Sequence, residues 1–267
     1  MIYKECLITR EELFHITEHQ HYYVNPYFGC SEGCPYCYWT VVPGWEGQIS
    51  ARLNVVEVFE KEMQTWDRGK RLCFGSYCNP YDSIESKYRL MRGLLHVVKK
   101  YHIPFVLTTS SSLILDDAEL IASMKDQAII VFEFSRVERL VSFNKTGLHE
   151  VMDAANKFAQ MGVTVLATVA PYLAEISDLN AILERLDDSI PIYIDSLDFN
   201  TNPSTAERLL PVVKQHKPEC LAHYRWLTEG DNAMREFQEI AEKYKDNPRV
   251  KRFPFEIQYE NCFGGEK

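Results

Sequence analysis

Six times between residues 21 and 216, a short apolar run is followed by a stretch of helical period. The apolar runs are HYYVNPYF (21–28), RLCFGSY (71–77), IPFVLTTS (103–110), AIIVFEFS (128–135), VTVLATVAP (163–171) and IPIYIDSLDF (190–199). The stretches between and after them are LNVVEVFEKEMQTW (53–66), IESKYRLMRGLLHVVKKYH (84–102), DDAELIASMK (116–125), GLHEVMDAANKFAQMG (147–162), SDLNAILERLDD (177–188) and STAERLLPVVKQH (204–216). Short apolar runs bounded by turn formers read as strands, and apolar residues spaced three and four apart read as helices. Asp116 or Asp117 is expected to cap the third helix, and Pro211 to start the main body of the sixth or kink it. Such alternation leads to a parallel sheet with right-handed crossovers, open or curled into a barrel. One more helix (AMREFQEIAEKYK, 233–245) and a strand-like tail (RVKRFPFEIQY, 249–259) follow.

In folds of this class the loops after the strands' carboxyl ends carry the site. The loop after the first strand reads NPYFGCSEGCPYCYW, with Cys30, Cys34 and Cys37 spaced C-x3-C-x2-C. Thiolates ligate zinc, or iron in iron–sulfur clusters. A closed zinc site would need a fourth ligand, for which His15, His19 and His21 stand upstream. Three thiolates could instead hold a [4Fe–4S] cluster with one iron left for a small molecule bearing an amine and a carboxylate. The N-terminal residues MIYKECLITREELFHI lack the pattern of a signal peptide, and no run of about 18 apolar residues suggests a membrane span. The cytoplasm is the expected compartment, where clustered thiols stay reduced and serve metal or catalysis. A net charge of −9 argues against a chain devoted to coating nucleic acid. The basic run RVKRF (249–253) reads as a solvated strand edge.

The cysteine motif, with an aromatic (Tyr36) before its last Cys, resembles that of radical S-adenosylmethionine (radical SAM) enzymes. The resemblance narrows to the spore photoproduct lyase-like branch. It is carried by NPYFGCSEGCPYCY and by FGSYCNPYDSIESKYRLMRGLL (74–95), with Gly75-Ser76, Asn79-Pro80-Tyr81 where relatives have Asp-Pro-Tyr, and Ile84-Glu85. It continues through VLTTSSSLILDDAELI and more loosely to VAPYLAEISDL, covering about residues 22–180. It implies an α/β fold, a partial (β/α)6 TIM-like barrel of radical SAM type with a short C-terminal extension. The expected division is an N-terminal segment 1–20, the barrel 21–217 and the extension 218–267.

The resemblance also implies roles. Cys30, Cys34 and Cys37 match the ligands of a [4Fe–4S] cluster that reductively cleaves S-adenosylmethionine (SAM) to a 5′-deoxyadenosyl radical, which abstracts a hydrogen from substrate. Tyr36 matches the residue meeting the adenine. Gly75 and Ser76 match the turn receiving the methionyl amine. Thr109, Ser110, Ser135 and Arg136 match positions that hold the SAM carboxylate and ribose; relatives commonly have a Lys where this chain has Ser110, and Arg136 is the candidate replacement. Cys78 matches a cysteine that returns a hydrogen atom to a product radical, with Tyr36 and Tyr38 as possible relays. Cys6, Cys73 and Cys220 read as packing or surface residues, and Cys262 as part of the tail.

The expected activity is that of a radical SAM enzyme acting on a small molecule or peptide, with DNA photoproduct repair an alternative and an electron donor such as flavodoxin or ferredoxin required. A non-catalytic zinc or iron–sulfur protein is the reading from another class.

Overall fold

The computed structural model describes residues 2–17, 20–37, 48–75, 78–135, 146–197, 199 and 204–252. Its first strands are β1 (Ile2–Cys6), β2 (Phe14–Ile16), β3 (His21–Val24), β4 (Tyr27–Phe28) and β5 (Gln48–Arg52). Then come α1 (Val55–Met63), β6 (Arg71–Phe74), α2 (Glu85–Tyr88), α3 (Leu90–Tyr101), β7 (Phe105–Thr109), α4 (Ala118–Ala122) and β8 (Ala128–Glu133). The rest are α5 (Thr146–Gln160), β9 (Thr164–Val169), α6 (Leu179–Arg185), β10 (Ile192–Ile194), α7 (Ser204–His216), α8 (Leu221–Leu227), α9 (Asn232–Lys243) and β11 (Val250–Arg252).

Eight strands form the main sheet in the order β11-β10-β9-β8-β7-β6-β3-β2. All neighbours pair in parallel except β2, which lies antiparallel on β3. The six expected strands thus stand side by side in chain order, as strand–helix units require. One face carries a small apolar layer: Tyr23, Cys73, Val106, Ile129, Val131 and Leu166. The other face carries Phe74, Phe105, Leu107, Ile130 and Phe132 into the larger core with the helices. Burial on both faces explains the unbroken apolar runs Phe105–Leu107 in β7 and Ala128–Phe132 in β8.

Two local expectations are corrected, and a third holds in position only. HYYVNPYF is not one strand but β3 and β4, which belong to different sheets. Pro26, without an N–H to donate, stands at the break, and the second, three-stranded sheet has the order β1-β5-β4. The stretch 84–102 is two helices, because Arg89 takes a left-handed conformation (φ 53°). Asp117 stands at the N-cap of α4, as expected, but its side chain makes no capping hydrogen bond. Residues Ser112–Asp117 form a 3-10 turn capped by Ser111, whose hydroxyl accepts from the Leu113 amide at 3.3 Å.

Glu85 explains how α3 restarts after the bend. Its carboxylate is buried and accepts the Met91 and Arg92 amides (3.1 and 3.2 Å), satisfying donors in the first turn of a helix. The Tyr27 hydroxyl donates to the same group. Pro211 is accommodated inside α7. Among the described residues no helix is long and apolar enough to cross a membrane.

Candidate active site

The parallel strands deliver Asn25, Gly75, Ser110, Ser135 and Asp195 to one end of the sheet, with the cysteine loop over them. Gly75 follows β6 with φ +88°. A Cβ there would lie 2.2 Å from the Thr108 carbonyl oxygen and 2.9 Å from Pro80 Cδ. Only glycine therefore lets the β6 loop pass so close to β7.

Cys30, Cys34 and Cys37 are not in disulfides, and each is half-buried, all within one loop. The Cys37 amide donates to the Cys34 carbonyl at 3.0 Å, closing a tight turn. Burial pushes the Cys30 thiol up to about 12, opposed by backbone amides of Asn79 and Glu32 directed at its sulfur. Among the described residues no three His, Cys, Asp or Glu side chains are already gathered closely enough to hold a metal ion. Three unbridged thiols in one short loop remain the donor set that an iron–sulfur cluster takes.

Four residues tie the loop down. The Ser31 amide donates to buried Asp82 at 2.8 Å. Glu32 accepts from the Asn79 side-chain amide at 3.1 Å. The Tyr36 hydroxyl donates to the Ser135 carbonyl at 2.5 Å. Arg208, on α7, donates to the Pro35 carbonyl at 2.9 Å and the Cys37 carbonyl at 3.4 Å. Asp82, Asn79 and Arg208 escape sequence reasoning as loop supports; their partners lie 51, 47 and 173 residues away. The Asn-Pro-Tyr triplet was the signal available for Asn79.

Asn79 is the hub. Its carbonyl oxygen accepts the Thr109 hydroxyl at 2.7 Å and the Tyr81 amide at 3.1 Å, while its NH2 also reaches Ser110 Oγ at 3.3 Å. Thr109, Ser110 and Asn79 thus form one buried network joining the β6 and β7 loops to the cysteine loop. The Ser135 hydroxyl is fully buried and has no hydrogen-bond partner among the described residues. Its amide donates to Glu133 at 3.0 Å.

Cys78 is buried beneath the cysteine loop, and its thiol donates to the Asn25 side-chain oxygen at 3.8 Å. Burial, reinforced by neighbouring Cys30, raises this thiol, so the sulfur keeps its proton. Cys73, on the inner sheet face, is raised to about 12 by complete burial. Tyr38, Ser76, Arg136 and Cys262 lie outside the described residues, as does His19. His21 begins β3 beside Arg71 (3.1 Å), at the other end of the strand from the cysteines. His15 is on β2, paired with Tyr23.

The fold is a partial barrel of the radical SAM type, with its cysteine loop after the first parallel strand. In particular it is similar to spore photoproduct lyase. The structure of that lyase complexed with a dinucleoside spore photoproduct gives a TM-score of 0.64 at 15% identity, over 94% of this chain and 81% of that one. Another structure of the lyase, a mutant with AdoMet and the photoproduct bound, gives 0.61 at 14% identity. Streptococcus suis SuiB bound to precursor peptide SuiA gives 0.54 at 13% identity, over 87% of this chain and 48% of that one. An uncharacterized protein of Mycobacterium tuberculosis is 25% identical over 232 residues, 77% of this chain. The match spans 66% of that relative's own length. No family model matches the chain.

Proposed function

We propose that this chain is a radical SAM enzyme. The observation that carries the reading is the C-x3-C-x2-C loop fastened over the carboxyl ends of a parallel partial barrel. In this reading Cys30, Cys34 and Cys37 hold a [4Fe–4S] cluster, and SAM lies along Gly75, Ser76, Thr109, Ser110, Ser135 and Arg136. When bound, cluster and SAM supply a 5′-deoxyadenosyl radical that takes a hydrogen atom from the substrate.

The protein's own residues prepare that site. Asn79 fixes Thr109 and Ser110 relative to the loop. Tyr36, hydrogen-bonded to Ser135, is held at the edge where the adenine is expected. The orphaned Ser135 hydroxyl offers a ligand a donor and an acceptor in a desolvated place, where an unmade bond is costly. Cys78 is the proposed hydrogen-atom donor, supported by its place below the loop and its retained S–H; Tyr38 is the proposed relay.

A small molecule or peptide is the substrate class proposed. SuiB holds a peptide and the lyase a photoproduct, so the fold accepts both kinds. Within the basic run, the Arg249 guanidinium donates to the Leu183, Leu186, Asp187 and Ile190 carbonyls and to Asp188 and so serves the fold rather than a phosphate.

Anaerobic reconstitution tests the proposal. The expected result is a brown protein with about four irons per chain that forms 5′-deoxyadenosine from SAM and a reductant, and loses both properties in Cys30→Ala. Stoichiometric zinc in place of iron, or a loaded protein that never cleaves SAM, would overturn it.

A further inference from the structure

Arg208 sits on the helix of the last strand–helix unit, 171 residues from Cys37, yet its guanidinium is spent on the cysteine loop. Nε donates to the Pro35 carbonyl at 2.9 Å and Nη2 to the Cys37 carbonyl at 3.4 Å. Nη1 donates to Ser204 Oγ at 2.8 Å, one helical turn earlier, which holds the fork in plane. These two carbonyls flank Tyr36 and end on the third cysteine, so the fork grips the Cys34–Cys37 turn from outside. A guanidinium is charged at every accessible pH and its fork is rigid, which suits it to fixing two acceptors at once. A surface arginine would have no reason to meet main-chain carbonyls of a remote loop.

We infer that Arg208 is a positioning residue for the cluster loop, and that its fixed positive charge raises the reduction potential of the cluster the loop holds. The inference rests on the function proposed above. An iron–sulfur centre's potential responds to nearby charge and hydrogen bonding. Each electron added makes the centre more negative, and a cation beside the Cys37 carbonyl favours that state. In a chain of net charge −9, removing one cation at this point acts in the direction of the background field.

Arg208→Gln and Arg208→Lys separate the two effects. Both proteins are reconstituted anaerobically beside the wild type, and iron retained after desalting, the midpoint potential and hydrogen exchange at the Cys37 amide are measured. Arg208→Gln is expected to lower the potential and to weaken cluster retention about tenfold, as removal of groups supporting metal ligands commonly does. Arg208→Lys is expected to restore the potential, because the charge returns, and not the slow exchange, because the fork does not. A wild type that takes up no cluster would sink the parent reading rather than this one. A loaded Arg208→Gln with wild-type potential and iron would overturn this inference. Should Arg208→Gln not fold, Arg208→Lys decides: unaltered exchange at Cys37 in the cluster-free protein removes the positioning role.

Discussion

The Tyr36 hydroxyl donates to the Ser135 carbonyl across 99 residues, linking the cysteine loop to the end of the fourth parallel strand. Tyr36→Phe removes this bond and leaves the ring. A partly buried hydrogen bond contributes about 1 kcal/mol, so the melting temperature should fall by about 2–4 °C. The main change should appear in hydrogen exchange of residues 31–37, measured by mass spectrometry, with the rest of the sheet unaltered.

The Asn79–Glu32 pair predicts a pattern of repulsion and rescue. Asn79→Asp replaces an NH2 donor with a carboxylate facing another carboxylate, and like charges repel. The single variant should lose stability, and Glu32→Gln in the same background should recover part of it by restoring a donor. Denaturant titrations of the four proteins should give a coupling energy of about 1–3 kcal/mol. Additive effects would mean the two side chains do not meet.

Gly75→Ala is expected to be among the costliest changes in the chain. It adds a methyl against a carbonyl oxygen at 2.2 Å and requires φ +88° of a non-glycine residue. Backbone strain of this kind costs about 1–3 kcal/mol before the overlap is counted. The expected outcome is insoluble protein or a steep drop in the unfolding midpoint.

Burial raises the Glu85 carboxyl, against the hydrogen bonds from Tyr27, Met91 and Arg92 that favour its anion. The folded state therefore holds this proton more tightly than the unfolded state does. Its contribution is fully present below the unfolded pKa and is lost as pH rises through the folded one. Glu85→Gln cannot titrate. The stability advantage of wild type over Glu85→Gln should accordingly be largest in mild acid and shrink toward neutrality, as followed by urea unfolding at a series of pH values.

Cys78→Ala is predicted to leave basal 5′-deoxyadenosine formation in place and to divert the product made from substrate. Product analysis by mass spectrometry checks this. Unchanged products would remove Cys78 from the reaction and leave it as the buried partner of Asn25.

The fold was legible because its periodicity is local. The units from RLCFGSY through STAERLLPVVKQH each repeat a strand pattern and then a helix pattern. What was not legible depends on single backbone choices or distant partners. The break at Pro26 sends β4 to a second sheet with β1 and β5, and no local pattern announces a pairing between Ile2–Cys6 and Gln48–Arg52. The left-handed Arg89 splits a stretch that reads as one helix, because nothing in Tyr-Arg-Leu disfavours continuation. At the candidate site, the three cysteines stand out by spacing. Arg208 did not: an arginine in an amphipathic helix looks like any solvated residue until the loop is found against it.

The Arg208 contact also orders events in time. During synthesis the cysteine loop leaves the ribosome long before residue 208 does. Until then, its last turn lacks two of the hydrogen bonds that shape it. The turn at Cys37 is therefore completed late, when α7 docks, and uptake of anything that needs its finished geometry follows that docking.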